Sequence, residues 1–563
     1  MMSKKQFNLV ADPWINVIET KTDSLKTVSL IECFNNAHQY RQLAGDMRAQ
    51  DLAIMRFLLA ILHTVYSRFD MNGEPYEWVN IDSETFHVNT PVDEDDFDVE
   101  DLFQTWGNLY KSGKFSKIIT QYLDKNQSRF NLFGDQAFYQ VTEEEYDSFV
   151  PKKKYVATGT GTVAVKQLNR QISESGNTPA IFTPKSDTFK NRLSLSELTR
   201  WLITYQNFTG VTDKTKVQTE EKFSNPAGWV YRLNPVFAKG KSLFETLMLN
   251  LVLADEEHYQ AQKPVWEYKS VTAYVEERKK EIAPDNLAFL YTAWSRILHI
   301  KWDENDEPTI FSAGIPMFSN ENMWLEPMTV WKKDIKASKG GDDVFKPAVK
   351  GTRSLGIAMW RHFGDYINAD QANDHHEPGI VSWLNTLKEA ECIDPDRLIT
   401  LTSVALISDG NATSQAPVAE VYDDMSINAD VLFDTNENSR WPLRIESVIS
   451  FTQAIAKDYW RFAADVAQIR GIDSKIFANK MGAQFYDRLN EPFKDWLVSL
   501  TNQDNRDDKI IEWKDQLKSL VFSSANELAQ NSSPRDKGGI VTEKGPLNIF
   551  IAKNRLVYNI HKH

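Results

Sequence analysis

The clearest periodicity in this chain lies toward its C-terminal end. Val448, Phe451, Ile455, Tyr459, Phe462, Val466 and Ile469 follow one another at intervals of 3, 4, 4, 3, 4 and 3 residues, the repeat of a helix with one buried stripe. Phe485, Leu489, Phe493, Trp496 and Leu500 continue in the same period, with Pro492 starting or kinking a helix, and Trp513, Leu517, Leu520 and Val521 add a further segment. Amphipathic helices of this length must bury their stripes on one another, so residues 436–563 are predicted to form an antiparallel helical bundle. Before that point the texture differs. Short apolar runs such as FNLV, WINVI, AVKQL, ILHIKW and TVW alternate with helical stretches and Pro, Gly and Asn clusters. This pattern predicts a mixed α/β domain over residues 1–435 and an α+β fold for the whole chain, with FDTNENSR before Trp441 as the linker. One early helix is expected from Asp51 to Tyr66, its stripe formed by Leu52, Met55, Leu58, Leu59 and Leu62 and its N-terminus capped or complemented by Asp51.

Composition narrows the function classes. At 42% hydrophobic and 25% charged residues the chain is that of a folded protein. The net charge of −14 excludes a free-standing cationic DNA coat, so any nucleic-acid contact must be local. Three basic clusters remain: Lys152 to Lys154; Phe182 to Arg192; and Lys332 to Arg353, where seven basic residues face three acids. Each also reads as a solvated surface loop. The acids from Asp93 to Asp101 read as a solvated loop or helix start. Cys33 and Cys392 are the only cysteines, which fits a cytoplasmic protein and leaves no four-thiolate zinc site. The start MMSKKQFNLVADPW lacks an apolar run, and the greasiest stretch, Met55 to Tyr66, contains Arg56 and His63, so neither secretion nor a membrane partner is expected.

Enzymatic chemistry finds no motif. Gly159, Thr160 and Gly161 lack the Gly-Lys-Ser/Thr ending of a phosphate loop and read as a strand-flanking turn. His375 and His376 in ANDHHEPG read as a polar loop, because adjacent residues in regular structure do not point at one ion and no metal-binding motif accompanies them. No catalytic residue, cofactor or metal is expected.

The order of segments carries more. FNLVADPWINV, SLIECFNNAHQYRQLAGDMRAQDLAIMRFLLAIL, RFNLFGDQAFYQV, TPKSDTFKN, LITYQNF, PVWE and YTAWSR, followed by the helical C-terminus, resemble the CasA family, the large subunit of the type I-E CRISPR surveillance complex Cascade. The resemblance implies a non-catalytic subunit with a large N-terminal domain and a C-terminal four-helix bundle. It implies as partners the other Cascade subunits, a guide RNA, double-stranded target DNA and a recruited helicase-nuclease. Its expected task is recognition of the protospacer-adjacent motif in duplex DNA, help in opening that duplex, and docking of the nuclease, while guide pairing reads the target sequence.

The resemblance also implies residues. The family's nucleic-acid-contacting loop corresponds to Phe182, Lys185, Lys190 and Arg192, where an aromatic stacks and cations hold phosphate. Its minor-groove lysine corresponds to Lys332 or Lys333 in PMTVWKK, and a lysine there reads base pairs only degenerately. The wedge corresponds to Gln415 in GNATSQAP, with Ala416 beside it and Ser414 where the family has Asn. The glycine-rich minor-groove loop corresponds to Asn225 to Arg232, with only Gly228 retained, so that either Trp229 or Arg232 would contact DNA in a different way or the loop would recognise a different motif. Two other classes stay open on the residues alone: a stand-alone cytosolic metal-dependent hydrolase or nuclease using His375 and His376, and a scaffold without DNA contact.

Overall fold

The structure is a computed structural model that describes residues 6–90, 92, 97–163, 193–210, 214–224, 226–253, 260–304, 307–368, 373–408, 417–436, 440–530, 532–543 and 545–563. The chain forms two compact units. The first comprises Met1–Leu355, Asp374–Cys392 and Leu401–Asp423; the second comprises Gly356–Asn373, Ile393–Thr400 and Asp424–His563.

The first unit is built on strands, most of them short; residues 398–400 and 424–428, in the two longest, belong to the second unit. In chain order they are β1 (Ile15–Glu19), β2 (Leu25–Val28), β3 (Tyr40–Leu43), β4 (Thr162–Val163), β5 (Val236–Lys239), β6 (Arg296–Trp302), β7 (Pro308–Gly314), β8 (Trp331–Lys333), β9 (Phe345–Pro347), β10 (His375–His376), β11 (Leu398–Ser408) and β12 (Pro417–Asn428). They make four three-stranded sheets, ordered β2-β1-β3, β4-β7-β6, β12-β11-β5 and β10-β8-β9. The expected strands WINVI and ILHIKW are β1 and β6, whereas FNLV contributes only an isolated bridge at Asn8. AVKQL lies outside the described residues. The turn at Gly159 and Gly161 does precede a strand, β4, and both glycines have positive φ, 65° and 85°.

Through this unit runs the central helix, Arg48–Tyr66, one turn longer at its start than the hydrophobic pattern suggests. Asp51 therefore sits in the first turn and not at the cap, where its Oδ1 accepts from the backbone N–H of Gly45 at 2.6 Å. All but Arg48 and Asp51 are buried, so the helix is apolar-faced all round and not amphipathic. It is long and apolar enough to cross a membrane, but 94% of its apolar window is covered by the protein itself. Phe57, at its middle, touches the rings of Trp14, Phe130, Phe138, Tyr139 and Trp266 at centroid distances of 5.5–6.4 Å, an edge-to-face cluster that fixes the helix in place. The helix Leu195–Phe208, started by a Ser194–Glu197 capping box, packs alongside. The acidic run resolves partly into a helix start, with Asp98 capping Val99–Ser112 and Glu100 and Asp101 in its first turn.

The second unit contains four long helices, Trp441–Arg470, Ser474–Val498, Arg506–Gln530 and Ile549–Lys562. Short connections make the first three an antiparallel series, and the first helix packs against each of the others. The stripe read from the sequence is buried at Val448, Ile455, Tyr459, Phe462, Val466 and Ile469; Phe451 is only half-buried, with the Lys514 ammonium 4.7 Å above its ring. Pro492 lies inside the second helix and neither starts nor ends it. Trp513 anchors the third helix to the first by donating its indole N–H to the Thr452 hydroxyl at 2.9 Å. Between the last two helices a small ribbon pairs β13 (Ile540–Thr542) with β14 (Gly545–Leu547).

Candidate nucleic-acid interface

Alternation along β8 divides the two candidate lysines. Register pairs Lys332 with Lys346 on β9 and with His375 on β10, and pairs Lys333 with Phe345. Side chains opposite one another share a face, so Lys332, Lys346 and His375 stand on one side of this small sheet. Trp331, Lys333, Phe345 and His376 stand on the other. The second side is its packed face: Trp331 and Phe345 are buried, and Trp324 lies against both at 5.3 and 5.4 Å. Lys333 ends this side in an ion pair with Asp343 at 2.6 Å, while Lys332 projects from the open side and is exposed.

The reading of His375 and His376 as a polar loop is corrected by the same register. They form β10, on the opposite edge of β8 from β9. His375 Nδ1 lies 2.8 Å from Asp374, whereas the His376 ring packs on Trp324 and Phe345 at 5.0 and 4.6 Å. The rings point to opposite faces, and among the described residues no group of three or more His, Cys, Asp or Glu converges on one point.

Just ahead of β8 in the chain lies a hub that sequence reading missed. Glu326, fully buried, receives both terminal nitrogens of Arg56 at 2.8 Å, the backbone N–H of Met328 at 3.1 Å and the indole N–H of Trp229 at 2.7 Å. Burial works against the Arg56 charge, but the Glu326 carboxylate outweighs it and holds the guanidinium protonated above its ordinary range. The signal was available: a lone arginine in an apolar helix requires a buried partner. The hub joins the central helix, the Gly228 loop and the segment leading into β8.

This geometry revises the part assigned to Trp229. Its ring is buried, at 2% exposure, and its polar atom is already used, so it anchors the loop and does not present itself to a ligand. Gly228 likewise has an internal reason to be glycine: a Cβ there would stand 2.3 Å from the Asn207 carbonyl oxygen. Its N–H donates to Thr209 O at 2.7 Å, pressing the loop onto the end of the 195–208 helix.

The root of the β8–β9 ribbon is tied to the strand pair β11–β12. Lys350, just after β9, donates to the Ser403 hydroxyl of β11 at 3.1 Å, and Ser403 donates on to Asn234 at 3.2 Å. Burial depresses the Lys350 ammonium below its ordinary range, opposed by Asp423. β11 ends at Ser408 and β12 begins at Pro417; Ser414, Gln415 and Ala416 between them lie outside the described residues, as do Phe182, Lys185, Lys190 and Arg192. The structure thus brings Lys332, Lys333 and the strands flanking Gln415 into one unit.

The sequence profile of CRISPR-associated protein Cse1 matches residues 8–524. A comparison with curated protein sequences returns no match. Among solved structures the chain resembles Thermobifida fusca Cse1, with 20% identity, a TM-score of 0.78 and coverage of 99% of this chain and 97% of that one. It also resembles Cse1 from Acidimicrobium ferrooxidans, with 17% identity, a TM-score of 0.73 and coverage of 100% and 98%. A chain of a CRISPR RNA-guided surveillance complex aligns at 12% identity and a TM-score of 0.66, over 99% of both chains. With the profile spanning most of the sequence, the chain belongs to the Cse1 family, also called CasA, the large non-catalytic subunit of the type I-E Cascade surveillance complex.

Proposed function

We propose that this chain, assembled with other Cascade subunits and a guide RNA in the cytoplasm, recognises the protospacer-adjacent motif in duplex DNA, helps open the duplex and offers a docking surface to a helicase-nuclease. One observation carries the reading: Lys332 projects from the open side of a ribbon whose root is hydrogen-bonded, through Lys350 and Ser403, to the strand that leads into the Gln415 segment. A cation that reaches minor-groove acceptors and an amide that enters the base stack would then act from the same unit. Lys332 is the assigned groove lysine, because strand register puts it on the open side of the sheet and Lys333 on the packed side. The loop Phe182 to Arg192 supplies further phosphate and stacking contacts. With Trp229 anchored inside, its ring is left out of the contact, and the side chain of Arg232, the other candidate in this loop, lies outside the described residues.

The test is duplex binding by the reconstituted complex at fixed salt, over randomised motifs beside a guide-matched target, with and without this subunit. Motif discrimination should require the subunit, and Lys332→Ala or Gln415→Ala should erode it about tenfold. Unchanged discrimination in both variants would overturn the reading in favour of a scaffold without DNA contact.

A further inference from the structure

Ile335 is 76% exposed, more than any other large apolar side chain described in its unit. An isolated exposed isoleucine is ordinary; the setting of this one is not. It follows directly on the last paired residue of the ribbon, since Asp334 donates its N–H to Val344 O at 2.7 Å. On its other side the chain is held as firmly. Asp334 Oδ1 accepts from the backbone N–H groups of Lys336 and Ala337 at 2.9 and 3.1 Å, and Asp334 O accepts from Ser338 N and Oγ at 2.9 and 2.8 Å. Ser338 Oγ in turn accepts from Val344 N at 3.0 Å. Asp334 Oδ2 takes the Lys346 ammonium at 2.9 Å, and that hydrogen bond, with the backbone donors, lowers the carboxyl to about 2, so the brace stays ionised near neutral pH. The backbone on both sides of Ile335 is thus fixed while its side chain is left in water.

The charges around the loop are divided in a telling way. Lys333 and Lys346 are engaged, the first by Asp343 and the second by Asp334 and Glu321. Lys336 and Lys339, which follow the apolar residue in the same braced loop, are exposed and have no ion-pair partner among the described residues. A preset apolar tip followed closely by two available cations matches the chemistry of a duplex whose base step is opened by an inserted side chain while nearby phosphates are neutralised.

We infer that Ile335 is an apolar wedge that enters a base step of duplex DNA beside the recognised motif, with Lys336 and Lys339 holding nearby phosphates. This rests on the proposed reading that the ribbon addresses duplex DNA. It adds a second insertion element, separate from Gln415 and based on unstacking alone.

The experiment uses the assembled complex and two targets, an intact duplex and the same duplex with a mismatched bubble at the motif-proximal end, each labelled at both ends to report bending by energy transfer. Ile335→Ser should weaken binding to the intact duplex about tenfold, reduce the bend and leave bubble binding within about twofold. Ile335→Leu should behave as wild type, and Lys336→Gln with Lys339→Gln should reduce the salt dependence by about two counterions on both targets. If Ile335→Ser matches wild type on both targets while Lys332→Ala still erodes motif discrimination, the wedge is wrong and the recognition reading stands. If neither variant changes anything, both fail. If Ile335→Ser keeps the subunit out of the complex on gel filtration, the loop is a protein contact and the wedge is overturned.

Discussion

Two ion pairs in the first unit use similar groups to opposite ends. Arg56 and Glu326 meet at 0% exposure on both sides; Lys333 and Asp343 meet at 30% and 53%. In the buried pair both charges have lost their water, and the geometry recovers the cost only because Glu326 also accepts from Trp229 and Met328 and the guanidinium lies 4.2 Å from the Tyr291 ring centroid. In the exposed pair water competes for each charge, so the pair holds its lysine loosely. The difference separates cations that build the molecule from cations a phosphate can recruit.

Breaking the buried pair should have the largest effect. Arg56→Met leaves Glu326 charged and short of two donors, and should cost about 3–5 kcal/mol in urea unfolding. Adding Glu326→Gln removes the stranded charge while keeping an acceptor for Trp229, and should recover at least half of that loss. If the double variant is no more stable than the single, the pair is not the unit of stability described above.

A smaller effect concerns His63, buried in the same helix with its ring 5.8 Å from Tyr291. Desolvation lowers it from 6.5 to about 3. The unfolded chain therefore binds a proton that the folded one refuses, so stability is complete above pH 6.5 and falls toward pH 3, by about 1.4 kcal/mol per unit. Asp51, partly covered and raised from 3.8 to about 6 by the loss of surrounding water, acts in the other direction. Its contribution is fully present below pH 3.8 and is lost as pH rises through 6. His63→Leu should remove the acid-side loss, and Asp51→Asn should steepen it. Unfolding at pH 7 and pH 5 checks both signs, and identical pH profiles for wild type and His63→Leu would refute the assignment.

The same contrast explains what was legible in the sequence. The bundle could be read because its stripe is one-sided and local, each apolar residue announcing its partner by spacing alone. The central helix is legible from the spacing of Leu52, Met55, Leu58, Leu59 and Leu62, but the burial of Arg56 and His63 within it depends on Glu326 and Tyr291, more than 200 residues away. Lys332 and Lys333 could be singled out by charge and resemblance, yet only strand register says which faces outward. An aromatic at Trp229 in a loop that has lost its glycines reads as a contact, but its partner is again Glu326. Long-range polar pairing is what spacing does not encode.

The smallest effect on the fold, and the sharpest test of the exposed pair, comes from Asp343→Asn. The carboxylate lies at the far end of the loop from Ile335, and its bond to Lys333 is one that solvent screens. Thermal unfolding should be indistinguishable from wild type. In the assembled complex, however, the substitution removes a negative charge from the ribbon and releases Lys333, so duplex affinity should rise about two- to fivefold at low salt, with the gain fading as salt increases. Motif preference should stay the same, since Lys333 stands on the packed side and acquires only phosphate contacts. A change in preference would mean that Lys333, and not Lys332, reaches the groove, and the division drawn from strand register would have to be reversed.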